Sequence, residues 1–180
     1  MTATVGSGLR AERIRAVLTG GACVNLYTRG AHHSKDIDLI LETQVTRREL
    51  DDAMQKVGFS RHGDRYEHTT ARFYVEFPPG PLAIGGDLSI RPVEIRRGGQ
   101  RMLALSATDC CRDRLAAFYH WNDRQSLRSA VLVALRNRVR MSTIEEWSRR
   151  EGAADGFAAF RRELQLARRR RRGARARARE

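Results

Sequence analysis

The stretch that most constrains the fold is Leu18 to Glu42, which reads LTGGACVNLYTRGAHHSKDIDLILE. A short apolar run ends in Gly20-Gly21, a helix-compatible segment follows, and a second apolar run carries aspartates at alternate positions, Asp36 and Asp38. On a β-strand, side chains two apart share a face, so these carboxylates stand side by side while Ile37, Leu39 and Leu41 point into a core. Two like charges placed so close call for a divalent metal or a basic partner. An all-oxygen ligand set suits magnesium or manganese better than zinc.

The glycine pair supplies a complementary half. Gly20 and Gly21 let the backbone turn sharply and approach a ligand without interference from a Cβ. The helix predicted over Ala22 to Arg29 then aims its unpaired N–H groups at whatever sits there, which is an anion site. Phosphates held at the glycine turn and a metal held by Asp36 and Asp38 together describe a nucleoside triphosphate with its metal. Ser34 is either a turn residue or a hydroxyl donor to a phosphate. Asn25 either faces the nucleotide or is a solvated helix side chain, and His32 and His33 are loop residues near phosphate or without a role.

Gly20-Gly21, a helix of about two turns, and then Ser34-Lys35-Asp36-Ile37-Asp38-Leu39 resemble the signature of the nucleotidyltransferase superfamily, with its DNA polymerase beta-like fold. Within it the chain is similar to small bacterial nucleotidyltransferases found as toxins in AbiE-like toxin-antitoxin pairs. The resemblance spans roughly residues 9–140 and is strongest over 18–42. It implies an α+β fold, a mixed β-sheet flanked by helices with a helical C-terminal half. It also implies an NTP co-substrate, ATP among the choices, Mg2+ or Mn2+, and Lys35 beside Ser34 in the nucleotide-binding set.

A third acid is also implied by the resemblance, as general base or metal ligand. Phe59 to His68 and Ala71 to Pro78 read as two strands around a turn near Thr69-Thr70. In the second, Phe73, Val75 and Phe77 share one face, and Tyr74 and Glu76 the other. Glu76 thereby has the geometry to join Asp36 and Asp38 across a sheet. Glu94, on the polar face of Leu88 to Arg96, and Asp87 are its rivals. Arg114 matches the place where a basic helix residue of the toxin-like enzymes, usually lysine, meets the triphosphate, and Asp123 the place of a later helix acid. Asp123 reads equally as the N-cap of a helix over Gln125 to Asn137.

Elsewhere the pattern is regular. Residues 1–8 read as a loose start, with a short amphipathic helix from Leu9 to Val17. Thr46 and Glu49 form a capping box for a helix ending at Gly58. Leu88 to Arg97, Gly98-Gly99 and Arg101 to Leu105 read as a hairpin. From Ser106 onward the chain reads as helical, with Ser142 and Glu145 as a second capping box. This divides the chain into an α/β core over 1–105, a helical part over 106–165 and an arginine-rich tail over 166–180. The tail has nothing to bury and reads as disordered.

Net charge is +13, but residues 161–180 hold ten arginines against Glu163 and Glu180, leaving +5 on the rest. Such a tail suits RNA, tRNA included, through phosphate contacts that do not read sequence. Cys23, Cys110 and Cys111 lack a disulfide framework and read as reduced thiols, and no apolar run spans a membrane, so the expected place is the cytoplasm. The reading is therefore a metal-dependent nucleotidyltransferase whose acceptor is tRNA, other RNA or a protein, with a cognate antitoxin as a further partner. Two other classes stand beside it: a catalytically silent fold serving as a binding module, and a basic RNA-binding protein.

Overall fold

The computed structural model describes residues 2–177, apart from the side chains of Arg175 and Ala176. The chain divides into two units, 1–106 and 107–180.

The first unit runs α1 (Thr2–Ala11), β1 (Ala16–Leu18), α2 (Gly20–Thr28), β2 (Asp36–Leu41), α3 (Arg47–Lys56), β3 (Phe59–His62), β4 (Arg65–His68), β5 (Tyr74–Glu76), β6 (Val93–Arg97) and β7 (Gln100–Ala104). Its strands form one mixed sheet in the order β3-β4-β5-β2-β1-β7-β6. β1 pairs antiparallel with β2 and parallel with β7, while β2 pairs parallel with β5. The aspartate-bearing strand is therefore central, with both of its edges paired. Ile37, Leu39 and Val75 are buried on one face, and Val17, Leu18, Met54 and Phe59 add to the core. α3 starts as its sequence requires: Thr46 Oγ1 accepts from Glu49 N at 3.3 Å, and Glu49 Oε2 accepts from Thr46 N at 2.7 Å.

Two readings of this unit need correction. The N-terminus is helical from Thr2, not loose, with Val5 and Leu9 fully buried, and this helix ends at Ala11, so the helix expected over Leu9 to Val17 gives way to β1 at Ala16. Its glycines serve close packing: a Cβ on Gly6 would come within 2.6 Å of Met102 Cβ, and one on Gly8 would overlap Val57. The segment 59–68 is not one strand but a hairpin, β3 and β4, turning at Gly63-Asp64 where Gly63 takes φ +63°.

The second unit contains α4 (Ala107–Trp121), α5 (Arg124–Arg136), α6 (Met141–Arg150) and α7 (Ala154–Arg177). Leu115, Leu127, Val133, Ile144, Trp147, Phe160 and Leu164 are buried in it. The capping box expected at Ser142 does not form, because α6 already begins at Met141 and no side chain caps it. The expected disorder beyond Gln165 is also overturned, since α7 continues through Arg177. Arginine and alanine both have high helix propensity, and the segment follows directly on a helix anchored by Phe157, Phe160 and Leu164. The last three residues of the predicted tail lie outside the described residues. All three cysteines are buried free thiols. Among the described residues no helix is long and apolar enough to cross a membrane.

Candidate active site

The acid-bearing face is assembled by strand register. Asp36 lies opposite Tyr74 and Asp38 opposite Glu76 across β2 and β5. Across β5 and β4, Glu76 lies opposite Arg65 and Tyr74 opposite Glu67. Register partners project to the same side, so Asp36, Asp38, Tyr74, Glu76, Arg65 and Glu67 share one face, opposite Ile37, Leu39 and Val75. The carboxylates are close enough to act on Tyr74: burial raises its phenol first, and the charges of Asp36 and Glu76 raise it further. Arg65 stands 4.9 Å above the Tyr74 ring and pairs with Glu67 at 2.6 Å. Arg65 was not legible as a site residue, because its alternation with Glu67 emerges only once the turn at Gly63 is placed.

The glycine turn closes onto these acids. Thr19 N donates to Asp38 O at 3.0 Å, which sets the end of β1 against β2. Gly20 follows with φ +62°, and a Cβ there would overlap Asp38 Oδ2 and lie 3.0 Å from its Cγ. At Gly21 a Cβ would overlap Ser34 Oγ and stand 3.4 Å from His32 Nε2. Two successive glycines thus let the start of α2 lie directly on the Asp38 carboxylate and the Ser34 hydroxyl. Thr19 makes no side-chain cap hydrogen bond at the positive end of α2.

Ser34 Oγ donates to Asp36 Oδ1, orienting the first carboxylate. Asn25 Nδ2 donates to His32 O at 2.6 Å, so its side chain ties α2 to the loop that carries His32, His33 and Ser34. Lys35 is exposed, and its carbonyl accepts from Tyr74 N at 3.1 Å. Of the rival acids, Glu94 sits on β6, three strands from β2, bonded to Arg10 at 2.6 Å and Arg96 at 3.0 Å. Asp87 accepts from Ser89 N at 2.9 Å within its own turn. A cavity of about 690 Å³ includes Glu76 in its lining, but Leu41 and Tyr66 in that lining belong to the face opposite Asp36 and Asp38.

Arg114 and Asp123 lie in the second unit. Arg114 pairs with Asp113 at 2.8 Å. Asp123 caps α5, accepting from Gln125 N at 2.8 Å, Ser126 N at 3.2 Å and Ser126 Oγ at 2.7 Å, bonds that hold its carboxyl below the usual range.

Among the described residues no three His, Cys, Asp or Glu side chains gather as a self-sufficient metal site. Two carboxylates on one strand face, one of them already oriented by Ser34, nevertheless fit magnesium or manganese. Such ions are commonly held by one or two carboxylates together with substrate phosphates.

No protein-family model matches the chain, and neither does any curated protein. Solved structures do. An antigenic nucleotidyltransferase-like protein from Paracoccidioides brasiliensis matches with a TM-score of 0.56 at 20% identity, over 73% of this chain and 74% of that one. The fold is nucleotidyltransferase-like. Two structures of ANT(2'')-Ia agree. Its complex with adenylyl-2''-tobramycin gives a TM-score of 0.53 at 15% identity over 89% of this chain and 94% of that one. The solution structure of this antibiotic-resistance factor gives 0.51 at 14% over 94% of each. In the nucleotidyltransferase-like fold described here, β1, the glycine turn, α2 and β2 form one continuous unit, and β5 adds its glutamate beside the second aspartate.

Proposed function

We propose that this chain transfers a nucleoside monophosphate from an NTP to an acceptor hydroxyl in a metal-dependent reaction. One observation carries the reading: Gly20 and Gly21 have no room for side chains because the Asp38 carboxylate and the Ser34 hydroxyl fill it, so the glycine turn lies directly against the acid strand and the loop before it. The first-turn N–H groups of α2, with Ser34 and Lys35, receive the triphosphate. Asp36 and Asp38 hold the magnesium or manganese ion, and Ser34 keeps Asp36 in place. A bound ion would stabilise charge on the transferring phosphoryl group and the leaving pyrophosphate. Glu76, beside Asp38 and one strand farther from the glycine turn, accepts the proton of the incoming hydroxyl; the third-ligand role is not taken up, because Glu76 does not gather with Asp36 and Asp38 as a metal site among the described residues. An in-line displacement then has its leaving group toward α2 and its acceptor toward β5.

Charge favours an anionic acceptor, RNA above all, over a cationic antibiotic: the net charge is +13, of which +8 lies in residues 161–180. A toxin role rests on the motif resemblance to AbiE-like enzymes alone. Three single variants test the residue roles. Asp38→Asn should abolish the magnesium-dependent part of NTP binding in a thermal-shift titration. Glu76→Gln should keep NTP binding while transfer falls roughly 10²–10⁴-fold, as for loss of a general base. Glu94→Gln should change neither. Loss of transfer in Glu94→Gln with Glu76→Gln unaffected would reverse the assignment.

A further inference from the structure

α7 is two helices in one. Up to Leu164 it is a packed element, with Phe157, Phe160 and Leu164 buried. From Arg168 onward none of the described side chains is buried, yet the helix continues to Arg177, ~15 Å at the usual rise per residue. Arg168 to Arg172 are consecutive, so their guanidinium groups point all round the axis, and pairs such as Arg168 and Arg172 stand one turn apart and repel. Among the described residues, Arg171 Nη1 donates to Leu135 O, in the last turn of α5, at 2.8 Å and ties the run to its unit.

The packed part leads into this run through a concave surface. A cavity of about 440 Å³ is lined by Met141, Arg161, Arg162, Leu164, Gln165 and Arg168, with no carboxylate among its lining residues. Met141 begins α6, whose start is not capped by any side chain. The Arg161 guanidinium lies over the Phe157 ring at 6.0 Å. Arg162 and Arg168 have no carboxylate partner among the described residues, and neither do Arg169, Arg170 and Arg172. A cavity of one charge sign that continues into a rod of the same sign is complementary to a polyanion, not to a single small anion.

We propose that the α6 and α7 cavity and the arginine run beyond it form an RNA-binding surface that grips the phosphodiester backbone without reading sequence. Guanidinium forks pair bidentately with phosphate, and binding releases condensed counterions from the nucleic acid. Arginines on every side of the rod present no single reading face, so contacts position the RNA and do not select its bases. The choice of RNA over DNA rests on the nucleotidyl-transfer reading, because RNA carries an acceptor hydroxyl on every nucleotide. The phosphate grip itself does not depend on that reading.

The test is fluorescence anisotropy of a short labelled single-stranded RNA of mixed sequence, titrated with the full chain over a series of salt concentrations, without NTP or metal. Because the titration contains neither NTP nor metal, a failure of transfer is separated from a failure of binding. Replacing Arg162, Arg168, Arg169, Arg170 and Arg172 together by Gln keeps helix propensity and Arg171 while removing five charges. The log–log salt slope should then fall by up to about 3.5, at about 0.7 per lost phosphate contact on a single strand. The matching five-fold Lys variant should keep most of the slope. An unchanged slope in the Gln variant, no RNA binding at low salt, or tighter binding to polyglutamate than to RNA would overturn the proposal. Tighter binding to single-stranded DNA of the same sequence would overturn the choice of RNA.

Discussion

Gly20→Ala isolates the geometry on which the active-site reading depends. The residue has φ +62°, where a side chain costs about 1–2 kcal/mol. The new Cβ also lands on Asp38 Oδ2, 3.0 Å from Cγ and 3.4 Å from Cβ, so the conflict lies at the far end of the side chain. Rotating the carboxylate away relieves it at a further cost of about 0.5–1.5 kcal/mol if the side chain leaves its rotamer well. The sum, about 1.5–3.5 kcal/mol, is tolerable for a domain stable by about 5–15 kcal/mol, and the melting temperature should fall by roughly 3–14 °C. Function should suffer more, because the displaced group is a proposed metal ligand, and a misplacement of about 1 Å can cost on the order of 10²-fold. Gly30→Ala is the matched control, since Gly30 has φ +84° and nothing within 4 Å of an added Cβ. Gly30→Ala should lose only the backbone part, about 1–2 kcal/mol, and keep magnesium-dependent binding of a fluorescent NTP analogue, which Gly20→Ala should lose. Equal binding by the two variants would refute the claim that the glycine turn and Asp38 form one site.

Three further outcomes follow from individual contacts. Ser34→Ala removes the donor to Asp36 Oδ1 and should weaken manganese binding roughly 10–100-fold in an isothermal titration, with little change in melting temperature. The Asp51 carboxyl is held below its usual 3.8, chiefly by the Tyr66 hydroxyl at 2.7 Å. A depressed carboxyl stabilises the fold above its unfolded value, and that contribution is lost as pH falls through the lower folded value. Tyr66→Phe should therefore raise the Asp51 pKa in an NMR titration and flatten the acid-side loss of stability, whereas an unmoved pKa would remove the hydroxyl as its cause. In the second unit Arg112, only 4% exposed, pairs with Asp109 at 2.9 Å and lies 5.1 Å from the centre of the Trp147 ring. Asp109→Ala removes one carboxylate partner of that buried cation and should lower the stability of the second unit in urea unfolding, while an unchanged unfolding midpoint would contradict the pairing.

The site was legible where local chemistry and periodicity agreed. Alternation alone put Asp36 and Asp38 on one face, and the Thr46 and Glu49 spacing located the start of α3. Glu76 became distinguishable from Glu94 only through strand order, because both lie on the polar side of a strand and only β5 neighbours β2. Sequence spacing carries no record of that adjacency. The glycines misled in both directions. Gly6 and Gly8 resemble a disordered leader, yet they permit α1 to pack closely on Met102 and Val57, and Gly63 marked a turn that an apparently continuous strand concealed. The arginine run was misread because composition measures what a segment can bury, whereas helix continuation needs only good propensity and an anchored beginning. Ser142 failed as a cap because α6 starts one residue before it.

The most direct test of the central claim is transfer of label from each of four α-labelled nucleoside triphosphates, with magnesium, onto total bacterial RNA and protein. Wild type is compared with Asp36→Ala/Asp38→Ala. The account predicts label on a discrete RNA species with wild type and none with the double variant. Equal labelling by both proteins, or no label on RNA with any of the four nucleotides, would contradict it.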